Sequence, residues 1–126
     1  MIAVRSRGRR CRNESGAATA ELALGIPLLV ALTAGLVWML AVGAAQVRVI
    51  DASREAARAV ARGDDVASAR QVAARIAPDG AHVQVTVGGT EVVVTTSARV
   101  TGPGGLLGSL PGVTVAAEAV AVVEES

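Results

Sequence analysis

Glu21 is the residue whose position most clearly suggests a chemical role. Its carboxylate stands at the start of an apolar run, residues 22–47, that carries no formal charge. A negative charge is favoured near the N-terminus of a helix, so a place at the membrane interface is one interpretation. The second interpretation is an ion pair with a new N-terminus, and it requires cleavage of the chain after Gly16. The new α-amino group on Ala17 would then lie four residues from the carboxylate, about one helical turn, and could neutralise it.

The other reactive side chains form no recognisable catalytic or metal-binding set. The chain has one His, His82, and one Cys, Cys11, so neither a spaced group of metal ligands nor an intrachain disulfide is predicted. Its serines lack the second His or the Lys that would activate a nucleophile. The glycines of residues 102–105 lack the Lys and the following helix of a phosphate-binding loop. We therefore expect a protein without catalytic residues, cofactor, metal or small-molecule substrate.

The apolar run 22–47 is long enough to cross a membrane. As a helix it would extend roughly 39 Å, against about 30 Å of bilayer hydrocarbon. It is also longer than the apolar core of about 7–15 residues in a signal peptide, which favours a retained transmembrane helix over 17–47. Pro27 removes one backbone donor and is expected to kink or loosen this helix. Ala31 and Gly35 form a pair of small residues that would let another helix approach closely.

A short basic leader, residues 1–16, precedes the apolar run. Its clustered arginines favour a cytoplasmic leader and an extracytoplasmic C-terminal domain. Further arginines follow the apolar run within about 15 residues, so the count of charges favours this orientation only slightly. The net charge of +1 and the absence of aromatic residues among the leader arginines argue against nucleic acid as a partner.

Residues 48–126 predict a small α+β domain outside the membrane. Helical periodicity continues to about residue 62, where Gly63 ends the helix, and alternating valines around Gly88-Gly89 then indicate a hairpin. The whole fold is predicted as a long N-terminal transmembrane helix that continues as an amphipathic helix, a second short helix, and a three-stranded antiparallel sheet with the helices on one face. The predicted elements of the domain are helices over 48–62 and 65–77 and strands over about 81–87, 91–100 and 113–123. Residues 101–112, rich in Gly and Pro, are predicted to form a loop.

The helix that follows the membrane segment has a charged stripe. Its acidic and basic residues fall within an arc of roughly 120° and form pairs spaced i,i+3, each worth a few tenths of a kcal/mol. A solvated face is the simpler interpretation, and a charged contact between subunits is the alternative. The stripe includes Asp51, Arg54, Glu55 and Arg58. The residues on the opposite side are Ile50, Ser53, Ala57, Val60 and Ala61.

The sequence GAATAE at residues 16–21 resembles the processing site of type IV pilin-like proteins. In these proteins a prepilin peptidase cuts after the Gly, and the Glu becomes the fifth residue of the mature chain. Together with Pro27-Leu28-Leu29 and the segment 51–58, it is similar more particularly to the TadE family, minor pilins of tight-adherence (Flp-type) pilus systems. The resemblance implies membrane insertion with a cytoplasmic leader, cleavage between Gly16 and Ala17, and assembly with other pilin-like subunits and the pilus machinery.

Two other functions stay open on the sequence alone. An unprocessed single-pass anchor would present its outer domain to a partner in the envelope. A small secreted effector would be released near residue 46, after the alanine-rich sequence 41–46. The N-terminal residue of the purified protein would separate these from the pilin-like function.

Overall fold

A computed structural model describes residues 5–102 and 112–124, with side chains from Asn13 onwards. Two helices are followed by three strands, and this order confirms the predicted α+β class. The elements are α1 (Arg5–Ala61), α2 (Val66–Ile76), β1 (His82–Val87), β2 (Glu91–Val100) and β3 (Val113–Val122). Most of the predicted loop, residues 103–111, lies outside the described residues. The chain divides into two compact units, Met1–Val37 and Trp38–Ser126.

The first unit is the N-terminal part of α1. This helix begins at Arg5 rather than at about Ala17, because residues 5–16 contain no Pro and a Gly costs a helix only about 1 kcal/mol. The helical conformation continues through Pro27. Apolar side chains such as Leu24 and Leu28 are 77% and 70% exposed. The described part of α1 is long and apolar enough to cross a membrane.

The second unit contains a three-stranded antiparallel sheet in the order β1-β2-β3. β1 pairs with β2 from His82↔Ser97 to Val87↔Val92, and β2 pairs with β3 over its full length. Along β2 the even-numbered residues from 92 to 98 are buried, whereas their neighbours are half-buried or exposed. The strand therefore has one face towards the core, because successive side chains of a strand point to opposite faces.

The β1–β2 hairpin differs by one residue from the predicted turn at Gly88-Gly89. The Gly88 N–H donates to the Glu91 carbonyl oxygen at 2.8 Å, so Gly89 and Thr90 form the two-residue connection. The predicted and the observed strand pairing direct the same valines of β1 and β2 towards the core. Hydrophobic alternation therefore does not distinguish between them.

Both helices pack against the inner face of the sheet, as predicted. The main core joins small residues of α1 and α2 to Val92 and Val94 of β2, and Ala52, Ala56, Ala69 and Ala73 within it are completely buried. A smaller cluster joins Ala45 and Val49 of α1 to Ala98 of β2 and Val115 of β3. Because most helical core residues are alanine, the helix backbones can lie close to the sheet.

α1 ends in a hydrogen-bonded glycine motif. Gly63 has a φ of +102°, which residues with a side chain rarely adopt. Its N–H donates to the Val60 carbonyl and the Asp64 N–H donates to the Ala59 carbonyl, both at 3.0 Å, which is the Schellman arrangement. The structure confirms that the helix stops at Gly63. Asp65 follows at the N-cap of α2, although its side chain makes no capping hydrogen bond.

Candidate functional site

The predicted processing segment is an exposed, helical part of α1. Gly16, Ala17 and Glu21 are all exposed, and a Cβ placed on Gly16 would meet no atom within 4 Å. The Thr19 hydroxyl donates to the Ser15 carbonyl at 2.9 Å. The described side chains, from Asn13 onwards, therefore do not cover the Gly16–Ala17 peptide. A peptidase that cuts there would have to open only the helical hydrogen bonds of this turn.

Glu21 lies one helical turn after Ala17. On an α-helix, residues at i and i+4 share one face, so a new α-amino group at Ala17 would be within reach of this carboxylate in the same chain or in an adjacent one. Among the side chains from Asn13 onwards that the structure describes, no basic group forms an ion pair with Glu21. The carboxylate is thus available to such a partner.

The small residues of the apolar run are accessible to a second helix. Ala31 is exposed, Gly35 is half-buried, and a Cβ on Gly35 would meet nothing within 4 Å. The Thr33 hydroxyl donates to the Leu29 carbonyl at 2.8 Å, so this polar group is satisfied within its own helix. A packing role for Pro27, Ala31 and Gly35 stays a prediction.

The charged stripe of α1 lies in solvent. Its residues Asp51, Arg54 and Arg58 are exposed and Glu55 is half-buried. The predicted i,i+3 pairs are not formed among the described residues. Instead, the Arg62 guanidinium lies 3.9 Å from carboxylate oxygens of both Glu55 and Asp64. Exposed contacts at this distance contribute little stability, so the stripe resembles an ordinary solvated face.

A buried polar cluster lies on the opposite side of α1. The Ser53 hydroxyl is 2.8 Å from Thr96 Oγ1 and 3.1 Å from the Ala117 carbonyl oxygen, and both side chains are completely buried. A carbonyl only accepts, so both contacts are satisfied when Ser53 donates to Ala117 and Thr96 donates to Ser53. The cluster ties α1 to β2 and β3. Its sequence signal is weak, because Ser53 is one small residue beside the alanines of α1 and Thr96 is one of two adjacent threonines in β2.

Replacing Ser53 by Ala is expected to destabilise the sheet domain by about 1–3 kcal/mol, because Thr96 would keep a buried hydroxyl without its partner. The double variant S53A/T96V removes both hydroxyls and should recover much of that loss. The stability of both variants is measured by urea unfolding of the detergent-solubilised full chain, and amide exchange in β2 gives a second measurement. An S53A/T96V protein no more stable than S53A would contradict the pairing.

The architecture defines the class of protein: one helix apolar enough to cross a membrane, followed in the chain by a small α+β domain whose core includes the end of that helix. Residues 16–58 match the family model described as TadE-like protein. The match contains Gly16, which is the predicted processing residue, together with Glu21, the apolar run and much of the helical face that packs on the sheet. Over this segment the chain is similar to TadE-like proteins, and the resemblance noted in its sequence is confirmed there.

One curated relative is similar over a longer part of the chain. Apoptosis inhibitor Rv3655c of Mycobacterium tuberculosis is 49% identical over 79 residues, which cover 63% of this chain and 57% of that protein. The chain thus spans little more than half the length of this relative. No solved structure matches the chain.

Proposed function

We propose that the protein is a minor pilin or pseudopilin, a membrane-inserted structural subunit that contributes to the assembly of a type IV pilus of the Flp, tight-adherence type. The observation that carries this proposal is where the family match begins. It starts at Gly16, the residue after which a prepilin peptidase would cut, and it continues through Glu21 and the whole apolar run. The proposed role is structural and requires no catalysis.

The proposed location is a single membrane span with the leader in the cytoplasm. The side chains of the apolar run are largely exposed, as a helix surrounded by lipid requires. The sheet domain has strand edges whose backbone groups need water or a partner, which supports a location outside the hydrocarbon. The arginine-rich leader slightly favours the cytoplasmic side for the N-terminus, and the sheet domain would then be extracytoplasmic.

The proposed partners follow from the processing segment and the apolar helix. A prepilin peptidase would cut the exposed Gly16–Ala17 peptide. The new α-amino group on Ala17 would then pair with Glu21 of the same or an adjacent chain. Other pilin-like subunits would pack against the apolar helix, where Ala31 and Gly35 allow close approach. The pilus assembly machinery is the setting in which these contacts form.

The N-terminus of the purified protein tests the proposal. Co-expressed with its cognate prepilin peptidase, the mature chain should begin at Ala17, and Gly16→Ala should leave a slower-migrating precursor. A Cβ at Gly16 meets no neighbouring atom, so this variant should fold normally and a processing defect would report on peptidase recognition. Gly25→Ala is the matched control, since its added Cβ also meets nothing and it lies outside the cleavage site.

The alternatives give different N-termini in the same experiment. An intact leader in the presence of an active peptidase would indicate an unprocessed anchor and contradict the proposal. A start near Gln46 would indicate a released outer domain. The name of the mycobacterial relative, an apoptosis inhibitor, makes such an effector the second candidate. A released domain would keep Val49 and the later core residues of α1 but would lose Ala45.

A further inference from the structure

An open cleft lies at the end of the sheet where β2 ends. Its volume is about 430 Å³. α1 supplies Ala41, Ala44 and Arg48 to its walls, and the end of β2 supplies Arg99, followed by Thr101. Arg48 and Arg99 are about 50 residues apart in the chain, so the fold brings the two arginines to one cleft.

Neither arginine of the cleft forms an ion pair with a carboxylate of the described residues, although both are exposed. The nearest acidic groups in sequence are Asp51, one helical turn after Arg48, and Asp79, next to the cleft residue Pro78. The two guanidinium groups thus provide positive charge that these carboxylates do not pair with. Each presents a planar set of donors that suits phosphate oxygens.

Gly112 leaves the space that the Arg99 side chain occupies. A Cβ on Gly112 would lie 2.8 Å from Arg99 Nε and 2.9 Å from the Val100 carbonyl oxygen, closer than real side chains come. The Arg99 side chain therefore lies directly over the Gly112 backbone. This contact holds it at the end of the sheet, beside the cleft.

The cleft coincides with the expected surface of the bilayer. A transmembrane helix needs about 20 residues, and 20 residues counted along the sequence from Leu22 end at Ala41, a wall of the cleft. Met39 and Leu40 are exposed apolar residues just before this point. The next charged residue after Glu21 is Arg48. The cleft residues from Ala41 to Arg48 thus occupy the length of helix that crosses the headgroup layer.

We infer that this cleft binds the phosphate of an anionic phospholipid headgroup. Arg48, Arg99 and the Thr101 hydroxyl would donate hydrogen bonds to the phosphate oxygens. The inference rests on the proposed membrane insertion. The headgroup of a zwitterionic lipid carries a cation beside its phosphate and so has no net charge. An anionic lipid has a net negative charge, which the two guanidinium groups attract more strongly. The bound lipid would hold this end of the sheet against the bilayer surface.

Trp38 is a built-in reporter for this site. It is the only Trp in the chain and lies three residues before Ala41 on the same helix. The full-length protein is reconstituted in phosphatidylcholine vesicles that contain phosphatidylglycerol, and bromine is placed on the acyl chains of one lipid or the other. Trp38 quenching should give a roughly 25-fold preference for phosphatidylglycerol, since each of the two basic side chains near an anionic surface contributes about five-fold. Arg48→Gln with Arg99→Gln should reduce the ratio to about one.

Matched variants separate the cleft from general surface charge. Arg58→Gln with Arg70→Gln removes the same charge from exposed sites elsewhere and should keep the preference. Gly112→Ala should lower it by displacing Arg99 and should have no further effect in an R99Q protein. The inference would be overturned if R58Q/R70Q lost the lipid preference as fully as R48Q/R99Q, or if R48Q/R99Q kept the wild-type preference.

Soluble phosphate and a failure of membrane insertion would each give a distinct result. Inorganic phosphate, added at constant ionic strength, should leave the preference unchanged, and its loss would assign the cleft to soluble phosphate and overturn the lipid assignment. If neither brominated lipid quenches Trp38, the proposed membrane insertion is wrong and the lipid site with it. If both quench equally, insertion stands and only the lipid site is wrong.

Discussion

Glu21→Gln is expected to leave membrane insertion and leader removal intact and to lower incorporation into pili by about a hundred-fold. The substitution keeps the size of the side chain and removes its charge. An α-ammonium group at Ala17 that enters an apolar assembly without its carboxylate is then unpaired. The cost of an unpaired charge in such surroundings is about 2.5–3.5 kcal/mol, which corresponds to a factor of roughly one hundred.

The measurement compares the amount of protein in sheared pili with the amount in the membrane fraction. Glu21→Asp retains the negative charge on the same helix face and should recover part of the incorporation. Glu118→Gln, on the exposed face of β3, removes one carboxylate elsewhere and should incorporate normally. Wild-type incorporation of the E21Q protein would rule out an assembly role for the carboxylate. Loss of the protein from the membrane would instead show that Glu21 acts in insertion.

Local patterns were sufficient to predict the elements of the sheet domain. β2 spans Glu91–Val100 as predicted, and β1 and β3 differ from prediction by one residue, because these segments are rich in Val, Thr and Ala and lie between turns that contain Gly. Gly63 is needed for its positive φ, so its position marks the end of α1 directly. The start of α1 was less predictable. Nothing in residues 5–16 forbids a helix, and no capping residue marks a boundary near Ala17.

Contacts between distant parts of the chain could not be predicted from such patterns. Ser53 and Thr96 are 43 residues apart, and their hydrogen bond depends on how α1 crosses the sheet. The sequence suggested that Ser53 lies on the less polar side of the helix but not what it would bind. The same holds for Arg48 and Arg99, which enter one cleft only because β2 ends beside α1. Gly112, which positions Arg99, looks in the sequence like one more loop glycine.

Ala56→Leu is expected to have the largest effect on the stability of the sheet domain. Ala56 is completely buried in the core formed by α1, α2 and β2. Leucine adds three carbon atoms at a position that has no exposed surface, and overpacking of this kind costs about 3 kcal/mol. A domain of this size without Phe or Tyr has little stability to lose. A large fraction of the domain should therefore be unfolded near 37 °C.

Ala74→Leu provides the control, since Ala74 is exposed on α2 and Leu is a good helix former. Both variants add the same atoms to a helix, so a difference between them reports on the space between helix and sheet. Amide exchange in β2 of the detergent-solubilised full chain should accelerate strongly for A56L and stay unchanged for A74L. Because α1 carries both the apolar run and half of this core, A56L should still insert into membranes while its outer domain is cleaved by protease. Equal protease resistance of A56L and the wild-type protein would mean that α1 does not pack closely on the sheet.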